Sequence, residues 1–224
     1  MGEVKQIEAW TIPEAWFEVC LEILKNGVAY EVGRGSEETM TKKIAVSLEI
    51  LNPERRPLAH NKAPVSNIQR YTLEELFSPD SRGYDYTYGA RMRADYDQVK
   101  RVIEKFREER QDRQNVIVTR RPKDLDEKNP PCLTVVDLEI IDGKLVNYSY
   151  WRSWDAYAGL PSNLAGLQLL MEHMAKEIGV ETGRMVAFSK NLHLYERQFE
   201  FVEGLSGGTT DEKQFFRGKT NEVE

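Results

Sequence analysis

The residues of this chain that could do chemistry fall within one stretch, Asn129 to Tyr195. Cys132, one of only two cysteines, follows Pro130-Pro131 and opens the strand-like run LTVVDLEII, so a stiff turn sets its thiol at the mouth of a sheet. Asp142-Gly143 then turns the chain back into KLVNYSYW, a hairpin signature. Arg152, Ser153 and Asp155 stand at the end of the return strand, Leu160, Pro161 and Asn163 follow, and His193 and Tyr195 close a later strand. A thiol, a guanidinium, a hydroxyl, a carboxylate and an amide therefore lie on neighbouring strand and helix ends. These groups suffice to hold a phosphorylated ring and attack it. A forked guanidinium suits phosphate oxygens, and positive charge near a thiol favours the thiolate, its reactive form.

The spacing also carries a resemblance. Cys132 after Pro-Pro, Arg152-Ser153-Trp154-Asp155, Gly159-Leu160-Pro161-Ser162-Asn163 and His193-Leu194-Tyr195 resemble, in that order and with almost no gap, the catalytic half of the thymidylate synthase family. The resemblance implies that Cys132 adds to C6 of the uracil of dUMP, with Arg152 and Ser153 on the phosphate and His193 and Tyr195 on the deoxyribose 3′-hydroxyl. Asn163 would read the uracil edge, since an amide both donates and accepts; relatives that hydroxymethylate cytidylate have aspartate there. Asp155 would order the base and the carbon-donor side. Further upstream, Arg34 matches the family's phosphate-binding arginine after the first helix. The family places in this region a glutamate that organises water and moves protons around the ring, and Glu75 would be its counterpart. Tyr88, in Tyr88-Gly89, would help activate the ring or assist proton abstraction, with Arg91 and Arg93 following it.

Departures from the family pattern bear on partner and donor. Two consecutive arginines that reach into the other subunit's phosphate site are replaced by Gln114-Asn115, with Arg113, Arg120 and Arg121 nearby. The homodimer that the resemblance implies is therefore at issue, and a monomer stays open. Ser189-Lys190 stands where a Gly-Gly pair is common, and the Gly-Asp-Thr-Asn segment and terminal closing peptide have no clear counterpart. In this the chain is similar to the short archaeal-type thymidylate synthases. The implied donor is a reduced methylene-pterin, of tetrahydrofolate or tetrahydromethanopterin type, with no metal. The expected reaction is dUMP to dTMP. A pyrimidine nucleotide hydroxymethylase and a non-catalytic nucleotide-binding protein remain the alternatives.

The elements that must position these groups follow from patterning. With 224 residues, 30% charged and 40% apolar, the chain is expected to be one thymidylate synthase-like domain over 1–204 with a polar tail over 205–224. A net charge of -6 argues against nucleic acid as a partner, and the absence of any long apolar run argues against a membrane and for a cytoplasmic protein. Trp16, Val19, Cys20, Ile23 and Leu24 form the buried stripe of a helix that opens at Thr11-Ile12-Pro13 and closes at Gly27, which makes Cys20 core. VAYEVGRGSEETM reads as a loop, KKIAVSLEIL and NVIVT as strands, and His60 as a surface residue. TLEELF reads as a short capped helix and YDQVKRVIEKFREER as an amphipathic one. The helix that starts at Pro161 is expected to be central and buried, ending at Gly179, with His173 on its outer side. Hairpins alternating with three substantial helices give an α+β class, a mixed β-sheet backed by helices.

Overall fold

The computed structural model describes residues 3–33 and 39–205. Arg34 and the tail from 206 onward lie outside the described residues. Leu205, expected to begin the tail, is instead buried with the core.

The fold is the expected mixed sheet backed by helices. Two long strands, β3 (Thr39–Ile50) and β8 (Glu181–Tyr195), run antiparallel at its centre. β1 (Val4–Ala9) and β2 (Val28–Val32) share the outer edge of β3, one pairing with Ala45–Ile50 and the other with Thr39–Lys43. Val28–Val32 is thus a strand rather than a loop, because the exposed half of β3 offers it a complete antiparallel partner. On the other side β6 (Lys144–Trp151) runs parallel to β8, then come β5 (Leu133–Ile141) and the edge strand β4 (Val116–Val118). The β5–β6 hairpin turns through Asp142 and Gly143, both at positive φ (49° and 76°), the conformation for which an Asp-Gly pair is suited.

One interruption in this sheet matters most. β6 ends opposite Ser189, and β7 (Trp154–Asp155) resumes opposite Leu192 and His193 on the same edge of β8. Between them Arg152 and Ser153 leave the ladder, so their side chains are not committed to a sheet face. The Arg152 amide still donates to the Cys132 carbonyl at 2.9 Å, which ties the break to the start of β5.

Helices cover one face. Thr11 caps α1 (Ile12–Asn26) by accepting from the Glu14 amide, and Pro13 sits in the first turn, where a missing N–H costs nothing. Trp16, Val19, Cys20 and Ile23 are fully buried, as their spacing predicts. α5 (Gly159–Ile178) packs between α1, β6, β7 and β8 and ends at Gly179, whose φ of 83° makes the left-handed stop. α4 (Gln98–Glu108) lies against α5 through its own apolar side. α3 (Tyr88–Arg93) is short and capped by Thr87.

Two expectations are corrected here. His60 is 5% exposed, because its loop folds back over α1 and sets the imidazole 5.1 Å from the Trp16 ring and 6.2 Å from Phe17. A loop composition shows that a segment is irregular, not what it folds onto. Thr72–Phe77 is not an ordinary capped helix: α2 (Ile68–Tyr71), capped by Asn67, continues into a widened π-type turn over these residues.

Candidate active site

Cys132 sits half-buried at the foot of β5. Arg152, freed by the break after β6, folds its guanidinium back over it: Nε donates to the Pro131 carbonyl at 2.8 Å, and Nη2 to the Pro130 carbonyl at 2.6 Å while reaching the Cys132 sulfur at 3.8 Å. The Pro-Pro turn therefore supplies two acceptors that lock the cation beside the thiol. Burial pushes the thiol's pKa up, while the charges of Arg152 and then Arg120 pull it down and Asp155 raises it. The net direction is upward, so ionisation depends on those guanidinia.

Asp155 and Asn163 stand around the start of α5. Asp155 Oδ1 accepts from the Tyr157 and Ala158 amides, both at 3.0 Å, and both its oxygens accept from Gln198 Nε2 at 3.2 Å. Asn163 is fixed at both ends of its amide: Oδ1 accepts from Trp154 Nε1 at 2.9 Å, and Nδ2 donates to the Tyr71 hydroxyl at 2.5 Å. That leaves one N–H and one lone pair. Trp154 is itself held by stacking on Trp151, with centroids 4.3 Å apart and both rings buried.

From β8, His193 lies edge-on to Tyr195 at 4.9 Å, and its Nδ1 faces the Asn191 carbonyl at 3.2 Å. Burial lowers the His193 pKa, against the Asn191 contact and the Asp155 charge, which favours the neutral imidazole. The Ser153 hydroxyl accepts from Asn191 Nδ2 at 3.3 Å, and Asn191 Oδ1 accepts from Tyr30, so the serine keeps its own proton to donate.

The facing wall is aromatic. Tyr88, 7% exposed, accepts from the Leu133 amide at 3.4 Å, and Tyr86 stands 5.7 Å from it. Burial raises the Tyr88, Tyr86 and Tyr71 hydroxyls above their ordinary range, and a Cys132 thiolate would raise all three further. Glu75 lines a recess of about 360 Å³ with Tyr84, Asp85, Tyr86 and Tyr88. Burial pushes its carboxyl upward, helped by Glu74 and opposed by Arg82. Its neighbour Glu74 turns outward to Arg70 and Arg82. Among the described residues no group of three or more His, Cys, Asp or Glu could hold a metal ion.

Of the residues singled out in the sequence, contacts join Cys132 to Arg152, Tyr88 to the Leu133 amide, Asp155 and Asn163 to the segment around the start of α5, Ser153 to Asn191 and His193 to Tyr195, Glu75 shares the recess with Tyr88, and Arg34 lies outside the described residues. Arg93 turns away to Asp97 and the Phe77 carbonyl. Sequence reasoning missed Tyr71, Asn191 and Gln198. The alternation Ser189, Asn191, His193, Tyr195 along β8 would have found Asn191. Tyr71 reaches Asn163 across 92 positions and leaves no local signal.

A half-buried cysteine beside a locked arginine, at a break in an α+β sheet and near a tyrosine-lined recess, has the parts a thiol nucleophile needs. The chain belongs to the thymidylate synthase family, whose profile matches residues 75–205. Proteins named "Putative thymidylate synthase" are similar along nearly their whole length. That of Methanothermobacter marburgensis is 31% identical over 87% of this chain and 95% of its own, and that of Methanopyrus kandleri is 32% identical over the same shares. The Methanocaldococcus jannaschii protein is 31% identical over 86% and 92%.

Proposed function

We propose that the protein converts dUMP to dTMP, with Cys132 as nucleophile and a reduced methylene-pterin as carbon donor. The observation that carries this reading is the Arg152 clamp, which holds a cation beside a half-buried thiol at a strand end. Family membership supports the same chemistry.

In this reading Arg152 and Ser153 take phosphate oxygens, His193 and Tyr195 the 3′-hydroxyl, and the remaining donor and lone pair of Asn163 the uracil edge. The Cys132 thiolate gives its electron pair to C6, moving the ring's pair toward C5 and O4, where the Asn163 N–H helps hold the charge. C5 then bonds to the incoming carbon as that carbon's bond to the donor breaks. Its proton leaves by way of the Tyr88 hydroxyl and water held by Glu75, and breaking the sulfur–C6 bond regenerates the thiolate. When bound, the pterin supplies the one-carbon unit and the reducing equivalents that make it a methyl. The recess is lined by Tyr84, Tyr86 and Tyr88 with the carboxyls of Glu75 and Asp85, and such a mix of rings and acceptors suits a flat bicyclic heterocycle. A homodimer through the sheet face that is open among the described residues accompanies this reading, because Tyr150 and Phe188 pair there across β6 and β8 and are 36% and 39% exposed.

Tritium release from [5-³H]dUMP tests the proposal, comparing wild type with Cys132→Ala and supplying methylenetetrahydrofolate or its methanopterin counterpart. Release that requires Cys132 and one donor is expected and names that donor. No release with either donor, while dUMP still binds, would overturn the reading.

A further inference from the structure

A groove of about 690 Å³ runs along the free edge of β4 beside α4, and its lining includes Arg91, Arg120 and Arg121. Arg91 and Arg120 share a single carboxylate, Asp124, at 2.8 and 3.8 Å, while Arg121 pairs with Asp95. Asp124 is 3% exposed. Burial opposes its ionisation, yet the Arg121 amide and the Arg91 and Arg120 charges hold its carboxyl below the usual range. Two guanidinia against one carboxylate leave one positive charge unmatched. The Nη1 atoms of both arginines are buried with no acceptor among the described residues. Buried charged donors left without a partner are costly, and an acceptor brought from outside the chain would offset that cost.

Its position relates it to the cleft. The Arg120 amide points to the Thr134 carbonyl at 3.5 Å, two residues beyond Cys132, and the Arg91 guanidinium lies 5.8 Å from the Tyr86 ring that lines the recess. The Cys132 thiol also feels the Arg120 charge.

We propose that Arg120, held beside Asp124, grips an oxyanion carried by one of the two reactants: the nucleotide's phosphate or an acidic group on the side chain of the carbon donor. The inference rests on the methyl-transfer reading for the identity of the reactants, but not for the existence of the anion site. A guanidinium fork already anchored on one side presents its free N–H groups to oxygens of either kind.

The first measurement is titration of inorganic phosphate into Arg152→Gln, so that the guanidinium of the cleft does not mask a second site, against Arg152→Gln/Arg120→Gln. Phosphate affinity should fall roughly ten- to hundredfold in the double variant. In the wild-type background, Arg120→Gln should then raise KM for one reactant by a similar factor with less change in kcat. If that reactant is dUMP, binding of deoxyuridine will be unaffected; if it is the donor, a donor lacking the acidic side chain will not respond. Arg120→Lys, which keeps the charge near Asp124 but not the fork, covers the case in which Arg120→Gln does not fold, and should lose at least about half of the effect in log units. Arg55→Gln, at an exposed loop position, is the control. Unchanged phosphate, dUMP and donor affinities in folded Arg120 variants would overturn the inference. Loss of phosphate binding without any Cys132-dependent tritium release in wild type would instead overturn the methyl-transfer reading and leave the anion site standing.

Discussion

Arg152, Asp155, Asn163 and His193 each have a hydrogen-bond partner on the backbone or on a buried ring, those partners belong to the sheet, the Pro-Pro turn or the start of α5, and Arg152 in turn reaches the Cys132 sulfur. Glu75, Tyr84, Tyr86 and Tyr88 come from a widened turn, a loop and a six-residue helix, and the ring contacts here join Tyr86 to Tyr88 and Tyr88 to Trp151. The contrast teaches a division of labour. In the proposed reaction the groups that meet a reacting atom at fixed distance stand at the ends of strands or between them, where the register of the flanking strands cannot slip, because a strand that shifts by one residue turns every side chain to the other face. A wall that accommodates a planar ring can be made from stacked aromatics on irregular backbone, where shape matters more than the position of any single atom.

Breaking the rigid side should cost most. Arg152→Gln removes the fork from the Pro130 and Pro131 carbonyls and the cation beside the thiol, and kcat/KM for tritium release is expected to fall roughly 10²- to 10³-fold. The same assay read against pH should show a rising limb above neutrality, since the thiol must lose its proton and burial has moved that loss to higher pH. A rate unchanged between about pH 6 and pH 9 would count against a raised thiol pKa. On the aromatic side, Glu75→Gln should lower kcat by about 10- to 100-fold with dUMP binding little changed, because proton movement and not grip is lost. If Arg152→Gln and Glu75→Gln had equal effects on dUMP binding, the division between the two walls would not hold.

Asn163 joins the walls through Tyr71. Asn163→Asp keeps the acceptor for Trp154 but removes the donor, so the ratio of dCMP to dUMP affinity should rise about tenfold or more in competitive binding. The smallest expected effect comes from Gly166 on α5. An added Cβ there would meet Leu76 Cδ1 at 2.5 Å and Tyr71 Cε1 at 3.0 Å. Overpacking costs about 1–3 kcal/mol, of which alanine's helix preference over glycine returns about 1. Gly166→Ala should therefore lower the denaturant midpoint modestly and, by displacing Tyr71, alter the Asn163 contact before it touches Cys132 chemistry.

Much of this protein was legible in its residues. The Thr11 cap and Pro13 fixed the start of α1, Asp142-Gly143 fixed the β5–β6 turn, and Gly179 fixed the end of α5, because caps and turns are decided by a few neighbouring side chains. The run from Cys132 to Tyr195 likewise placed its chemistry on adjacent strand and helix ends, since that chemistry is local to one hairpin, one helix and the strand after it. Tertiary structure alone decided the rest. Only the break that lets β6 and β7 share one edge of β8 aims Arg152 at the thiol, and only the folding of the loop over α1 buries His60. Only the approach of a widened turn to α5 sets Tyr71 on Asn163 and Glu75 in the recess, and only the meeting of α3 with the end of β4 brings Arg91 and Arg120 to one carboxylate. Each of these pairings joins segments far apart in the chain, so the energy that selects it comes from burial and packing between elements, which no local pattern of residues encodes.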